Sequence, residues 1–287
     1  MTVQANVCAS RLHQRWITAS YHPRIKGTVI LIGRPLLGRP LLGRRGHPIA
    51  DIISYRSRNA PESSHAFTHV GMPQQTATVR AGAIAWVIAA QFFITQVVVA
   101  TAWPRAFSLR FDYISDLGNT VCGAYPAGGT RLVCSPWHLA MNTSFMVLGV
   151  TMIIGATLTR DAFPKGWVRT LASLLFTLAG IGVFVVGLYP ENTDNARHVL
   201  GAGLNFTAGN IAIMVYGLAL AQRPTLHPAL QRVSLFAGAL GFAGTLLFVS
   251  GHYLGIGLGG MERVAAYPMT VWQIVAGMAM LRGLSAR

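Results

Sequence analysis

Acidic residues are scarce in this chain. Its 287 residues include 8 Asp and Glu against 23 Lys and Arg, and charged residues of both signs reach only 11%. A soluble domain carries about 25% charged residues, so the deficit argues against a water-soluble globular protein. Familiar chemical signatures are missing as well: no HExxH or CxxC pattern, no phosphate-binding P-loop and no GxSxG motif occurs. No apolar stretch leads from the N-terminus to a small-residue cleavage site, which excludes a recognisable signal peptide. The net charge of +15 invites a nucleic-acid reading, but it is spread along the chain. Residues 1–71 hold ten Lys/Arg against Asp51 and Glu62, net +8; residues 72–287 hold thirteen against six, net +7. Neither part shows the basic, aromatic-interleaved face of a nucleic-acid binder.

What is abundant is apolar sequence: 52% of residues are hydrophobic and the mean hydropathy is +0.47. Crossing a bilayer takes about 20 predominantly apolar residues. Six runs qualify: Ala81–Trp103, Trp137–Leu158, Val168–Leu188, Val199–Ala221, Val233–Leu254 and the short Tyr267–Leu281. Backbone polar groups in lipid must be satisfied internally, so these runs are helices. The fold class is all-α, a polytopic integral membrane protein with six transmembrane helices. Its partner is membrane lipid; the oligomeric state is not legible.

Residues 1–71 contain no spanning run. Gly33-Arg34-Pro35-Leu36-Leu37 repeats at once as Gly38-Arg39-Pro40-Leu41-Leu42, and this Pro-, Gly- and Arg-rich composition predicts a disordered basic tail. Either the tail lies on anionic headgroups or translation starts at Met72; the abrupt compositional change there favours the second. The membrane domain is then 72–287. The Lys/Arg bias of short loops sets the orientation. With both termini cytoplasmic in the cell membrane, inner segments hold eight Lys/Arg and outer loops five, the tail left out.

The longest connection, Pro104 to Pro136, falls outside under that orientation and contains Asp112-Tyr113-Ile114-Ser115-Asp116-Leu117-Gly118. Ser, Asp and Gly favour a turn or helix cap, because Ser and Asp side chains accept backbone hydrogen bonds. Two readings follow: an interfacial turn, or one wall of a polar site. Cys122 and Cys134 share this loop. In an oxidising exterior they form a disulfide worth about 3 kcal/mol by loop entropy; a pair of free thiols is the alternative.

A weak parallel repeat of a helical hairpin runs through the centre. Ala179-Gly180, Phe184-Val185, Gly187 and Tyr189 recur 64 residues on as Ala243-Gly244, Phe248-Val249, Gly251 and Tyr253. Upstream, Asn142 and Arg160 match Asn205 and Arg223. Small residues at heptad spacing, Ser173, Gly180 and Gly187, then Ala237, Gly244 and Gly251, predict close helix contacts.

His138, His198 and His252 sit at helix ends on the same outer side, together with Asp112, Asp116, Glu191, Asp194 and Glu262. Three neutral imidazoles can ligate Zn²⁺ with a fourth position open to water, whose acidity the metal raises to give a nucleophile. Asp116 or Glu191 then serves as general base and Ser115 as hydrogen-bond donor. Histidines that merely cap separate helix ends are the competing reading. A haem between His138 and His198 is disfavoured, because the opposite face lacks the second pair used by two-haem carriers.

Several short motifs carry a resemblance: Tyr113 to Gly118 after the first helix, Pro136-Trp137-His138 entering the second, and Tyr189-Pro190-Glu191 ending the third, followed by His198. Over roughly Ala81 to Leu281 the chain resembles the domain of unknown function 998 family of bacterial six-helix membrane proteins. More distantly it is similar to the DRAM/Sfk membrane proteins linked to lipid organisation. The resemblance implies architecture and no activity. Two functions remain open: binding or organising lipid at the outer leaflet, and metal-dependent hydrolysis of a lipid or other membrane-proximal substrate.

Overall fold

The computed structural model describes residues 2–5, 17–20, 72–125, 131–222 and 228–285. The chain divides into two compact units, Met1–His65 and Ala66–Arg287. In the first, β1 (Thr2–Ala5) pairs antiparallel with β2 (Ile17–Ser20), setting Thr2 opposite Ser20. The rest of residues 1–71, where most of the expected disordered tail falls, lies outside the described residues.

The second unit holds six helical spans long and apolar enough to cross a membrane among the described residues. The first, Thr76–Thr101, is built from α1 (Met72–Ile88) and α2 (Gln91–Thr101). At their junction the Ala89 and Ala90 amides bond back three residues, to the Trp86 and Val87 carbonyls, so one tight turn interrupts the α-helix. Then follow α3 (His138–Leu158), α4 (Trp167–Leu188), α5 (Asn195–Ala221), α6 (Pro228–Val249) and α7 (Gly257–Ser285). A small hairpin of β3 (Gly123–Tyr125) and β4 (Arg131–Val133) projects from the α2–α3 connection. Each of α3 to α7 packs on the next, and α1 touches both α3 and α7, so the helices close into a ring. This is a multi-pass membrane protein.

Large apolar side chains such as Ile94, Val97, Leu174, Phe236 and Val249 point outward. A soluble monomer rarely exposes so much contiguous apolar surface; lipid covers it without cost. Lipid also removes the hydrophobic drive between helices, leaving close packing and buried hydrogen bonds to join them. Glycine supplies the approach at the α4–α5 crossing. A Cβ at Gly182 would lie 2.5 Å from the Gly201 carbonyl oxygen, and one at Gly201 2.6 Å from that of Gly182. At one level of the bundle, Trp86, Phe176, Tyr216 and Trp272 form a buried aromatic layer, with Tyr216 and Trp272 stacked at 5.1 Å.

Three boundaries differ from the sequence reading. α5 starts at Asn195 because the Asp194 side chain accepts a hydrogen bond from the Arg197 amide and caps it. α7 starts at Gly257, so Glu262 and Arg263 belong to its first turns and not to a loop. Their charges sit in a span because the chain before them supplies partners: Arg263 donates to the Leu109 and Asp112 carbonyls at 3.1 and 3.0 Å. Gly251, expected on a packing face, instead follows α6 in a left-handed turn (φ 74°) with nothing near its Cβ position.

The mutual contact of Gly182 and Gly201 predicts a specific weakness. Gly182→Val drives a branched side chain into backbone, and overpacking of this kind costs about 1–3 kcal/mol. A lowered unfolding temperature in detergent is expected, whereas Gly203→Val, where a Cβ meets nothing within 4 Å, leaves it unchanged. Equal melting of both variants would show that the crossing is not tight.

Candidate functional site

The α2–α3 connection folds as a plug at one end of the bundle, and its own carboxylates shape it. Asp112, buried, accepts from the Ser108 amide at 2.7 Å and is gripped by both terminal nitrogens of Arg105. Asp116, also buried, accepts from the Tyr113 amide at 2.7 Å and from Arg131 of β4 at 2.7 Å. The Arg131 guanidinium lies over the Tyr113 ring, 4.3 Å from its centre. Between these ties, Ser115–Gly118 forms a 3-10 turn anchored by buried Ile114 and Leu117. A disulfide between Cys122 and Cys134 closes the base of the β3–β4 hairpin.

Several helix ends around the turn reach it. From the start of α3 and the residues before it, Asn142 donates to the Gly118 carbonyl and Ser135 to that of Leu117. From the α4–α5 corner, Glu191 accepts from Asn119 and Asn192 pairs with Thr120 through both backbone and side chain. From α7, Glu262 accepts from the Ile114 amide at 2.5 Å and lies 3.2 Å from the Ser115 hydroxyl. From α5, His198 Nε2 lies 3.1 Å from that same hydroxyl. The other ring nitrogen of His198 donates to the Tyr189 carbonyl at 2.9 Å, which leaves Nε2 of the neutral ring as an acceptor facing Ser115.

Ser115 and Glu262 line one end of a narrow cleft between the helices. Phe145, Val186, Ala202 and Phe206 line its upper part, and Asn205 and Thr270 its depth. Its cavity volume is only about 30 Å³. It is a slot, not a chamber.

The residues expected from sequence are therefore divided. Ser115 and His198 meet. Asp116 faces away, towards Arg131, and Glu191 is engaged by Asn119. The three histidines have separate partners: His138 holds the Ser135 carbonyl, and exposed His252 lies beside the Ser250 hydroxyl. Among the described residues no group of three or more His, Cys, Asp or Glu is placed to hold a metal ion. The convergence expected of His138, His198 and His252 is thus not formed: sequence put them at one depth, and each ring has partners of its own. Glu262 went unrecognised as a partner of Ser115. Its signal was a lone acid beside Arg263 directly ahead of an apolar run.

Burial pushes the Asp116 carboxyl up to about 8, against the pull of the Arg131 cation and the Tyr113 amide; Glu191 and Glu262 add to the rise.

A family model described as protein of unknown function (DUF998) matches residues 87–279. No curated protein and no solved structure matches the chain, and these comparisons do not carry the distant likeness to the DRAM/Sfk proteins.

The raised Asp116 value has a pH consequence of definite sign. Between its ordinary value near 4 and about 8, the carboxyl holds a proton in the folded chain and none in the unfolded one, so stability falls as pH rises through that window. Asp116→Asn removes the titration. Thermal unfolding in detergent should show the wild type losing stability relative to this variant from about pH 5 to about pH 8. A difference that does not change with pH would contradict the buried, protonated carboxyl.

Proposed function

The chain belongs to the DUF998 family of proteins of unknown function, and within it we propose that it binds a membrane lipid by one chain. The lipid's polar end rests at Ser115, His198 and Glu262. The observation behind this reading is the cleft, which pairs the polar Ser115 and Glu262 at one end with mostly apolar walls. Ligand pockets are lined in this way, with apolar walls for burial and a few placed polar groups for orientation. From Glu262 to Thr270 is eight positions along α7, about 12 Å at the α-helical rise. A slot of that depth and narrowness suits one alkyl chain better than a paired-chain body or a ring system.

The Lys/Arg bias of the connections supports an extracytoplasmic mouth in the cell membrane, with both termini cytoplasmic. The Cys122–Cys134 disulfide supports the same side, because such bonds persist in oxidising compartments. The site then lies at the outer leaflet, where headgroup and chain part company.

Two measurements check this reading. A photoactivatable single-chain lipid added to the purified protein should crosslink to cleft residues of α3 and α5. Ala202→Phe, which fills the slot, should weaken its binding at least about tenfold, equivalent to about 1.4 kcal/mol. Crosslinks confined to the outward apolar faces would overturn the binding site. For orientation, an impermeant reductant followed by an impermeant maleimide should label Cys122 and Cys134 on intact cells. Labelling only after permeabilisation would reverse the topology.

A further inference from the structure

The lipid reading leaves the Ser115–His198 contact unexplained, since a passive headgroup site needs no serine paired to an oriented imidazole. We propose that Ser115 is a nucleophile, that His198 is its general base, and that the chain cleaves or transfers the acyl group of a single-chain ester held in the cleft. This rests on the lipid reading and names its substrate class.

The geometry has the three parts that nucleophilic catalysis needs. Nucleophile and base are within reach, with Oγ of Ser115 3.1 Å from Nε2 of His198. The base is oriented by a third group: the Tyr189 carbonyl takes the Nδ1 hydrogen at 2.9 Å and so turns the lone pair of Nε2 towards the serine. The nucleophile faces the substrate space, because Ser115 itself lines the cleft. An acyl chain lying along the slot brings its carbonyl to the mouth, where Oγ stands.

Hydrogen counting gives Glu262 a part. A serine hydroxyl has one hydrogen. When it points to Nε2, the 3.2 Å contact between Oγ and Glu262 Oε1 is a hydrogen bond only if the carboxyl carries the proton. Glu262 Oε2 meanwhile accepts from the Ile114 amide. With neutral His198, the carboxyl is then an acid whose hydrogen sits beside the position where charge develops on the carbonyl oxygen. A donor placed there stabilises the tetrahedral intermediate.

The steps balance without any further reagent except water. Oγ attacks the acyl carbon as its proton passes to Nε2. The intermediate collapses, the bond to the alcohol oxygen breaks, and His198 returns the proton to that oxygen. The resulting acyl ester on Ser115 is attacked by water, or by an acceptor alcohol, whose proton goes to Nε2. The bond to Oγ then breaks and the serine recovers its hydrogen from His198. The net change is ester plus water to acid plus alcohol, or exchange of one alcohol for another.

The test uses the full chain in detergent and a fluorophosphonate bearing a long alkyl chain, which reacts with activated serines. The expected result is one phosphonyl group, mapped to the peptide containing Ser115. It should be absent in Ser115→Ala and slowed at least about 100-fold in His198→Gln, the scale of losing a general base. Ser115→Cys guards against misfolding: it should lose phosphonylation and gain reactivity with an alkyl iodoacetamide. The non-reactive photoactivatable lipid is bound in parallel. Retained crosslinking in the cleft with no label on Ser115, or with undiminished labelling in His198→Gln, overturns the nucleophile and leaves the lipid site standing. Loss of both overturns the two readings together.

Discussion

A non-helical turn held in a largely buried position must have its amides, carbonyls and side chains paired, because an unpaired buried polar group costs about as much as a lost hydrogen bond. Ile114–Asn119 is such a turn, and the rest of the unit supplies partners to its backbone. Glu262 takes the Ile114 amide, Ser135 the Leu117 carbonyl through its hydroxyl, and Asn142 the Gly118 carbonyl through its amide. These partners come from α7, from the approach to α3 and from α3 itself. The turn is thereby a keystone: it fixes the rotation of several helix ends at once, and each helix end fixes it in return.

This mutual dependence explains why charge is tolerated at the edge of an apolar bundle. Asp116 and Arg131 are both nearly inaccessible, and burying a charged group beside a carboxyl is tolerated only when geometry and extra hydrogen bonds are good. Here the backbone amide of Tyr113 and its ring supply that help. Replacing such a pair by apolar side chains can be neutral, so its value lies in specifying one conformation of the plug. Arg263 works in the same way from α7, gathering the Leu109 and Asp112 carbonyls around one nitrogen.

The cleft is a product of the same economy. Glycines bring α4 and α5 into backbone contact, while bulky aromatics form a layer across the ring of helices. Between that layer and the keystone turn the helices do not fill the space completely. The gap reaches Ser115 and Glu262, so an incompletely packed part of the membrane domain meets its polar turn. Architecture and chemistry are joined at that point.

Hydropathy alone was enough for the number of spans, because lipid imposes one secondary structure on any long apolar run. The disulfide partners were legible too, being two cysteines in one short loop. So was the Tyr113–Gly118 turn, whose Ser, Asp and Gly declare it locally. The assembly of the site was not. Glu262 lies 148 positions from its backbone partner Ile114, and no local pattern connects them. His138, His198 and His252 share a depth that sequence reveals, yet only His198 turns towards Ser115, while the other two rings find partners of their own. Membrane depth is a one-dimensional property, written residue by residue in hydropathy. Convergence depends on the azimuth of each helix, which only the packing of small residues and buried hydrogen bonds across the bundle decides.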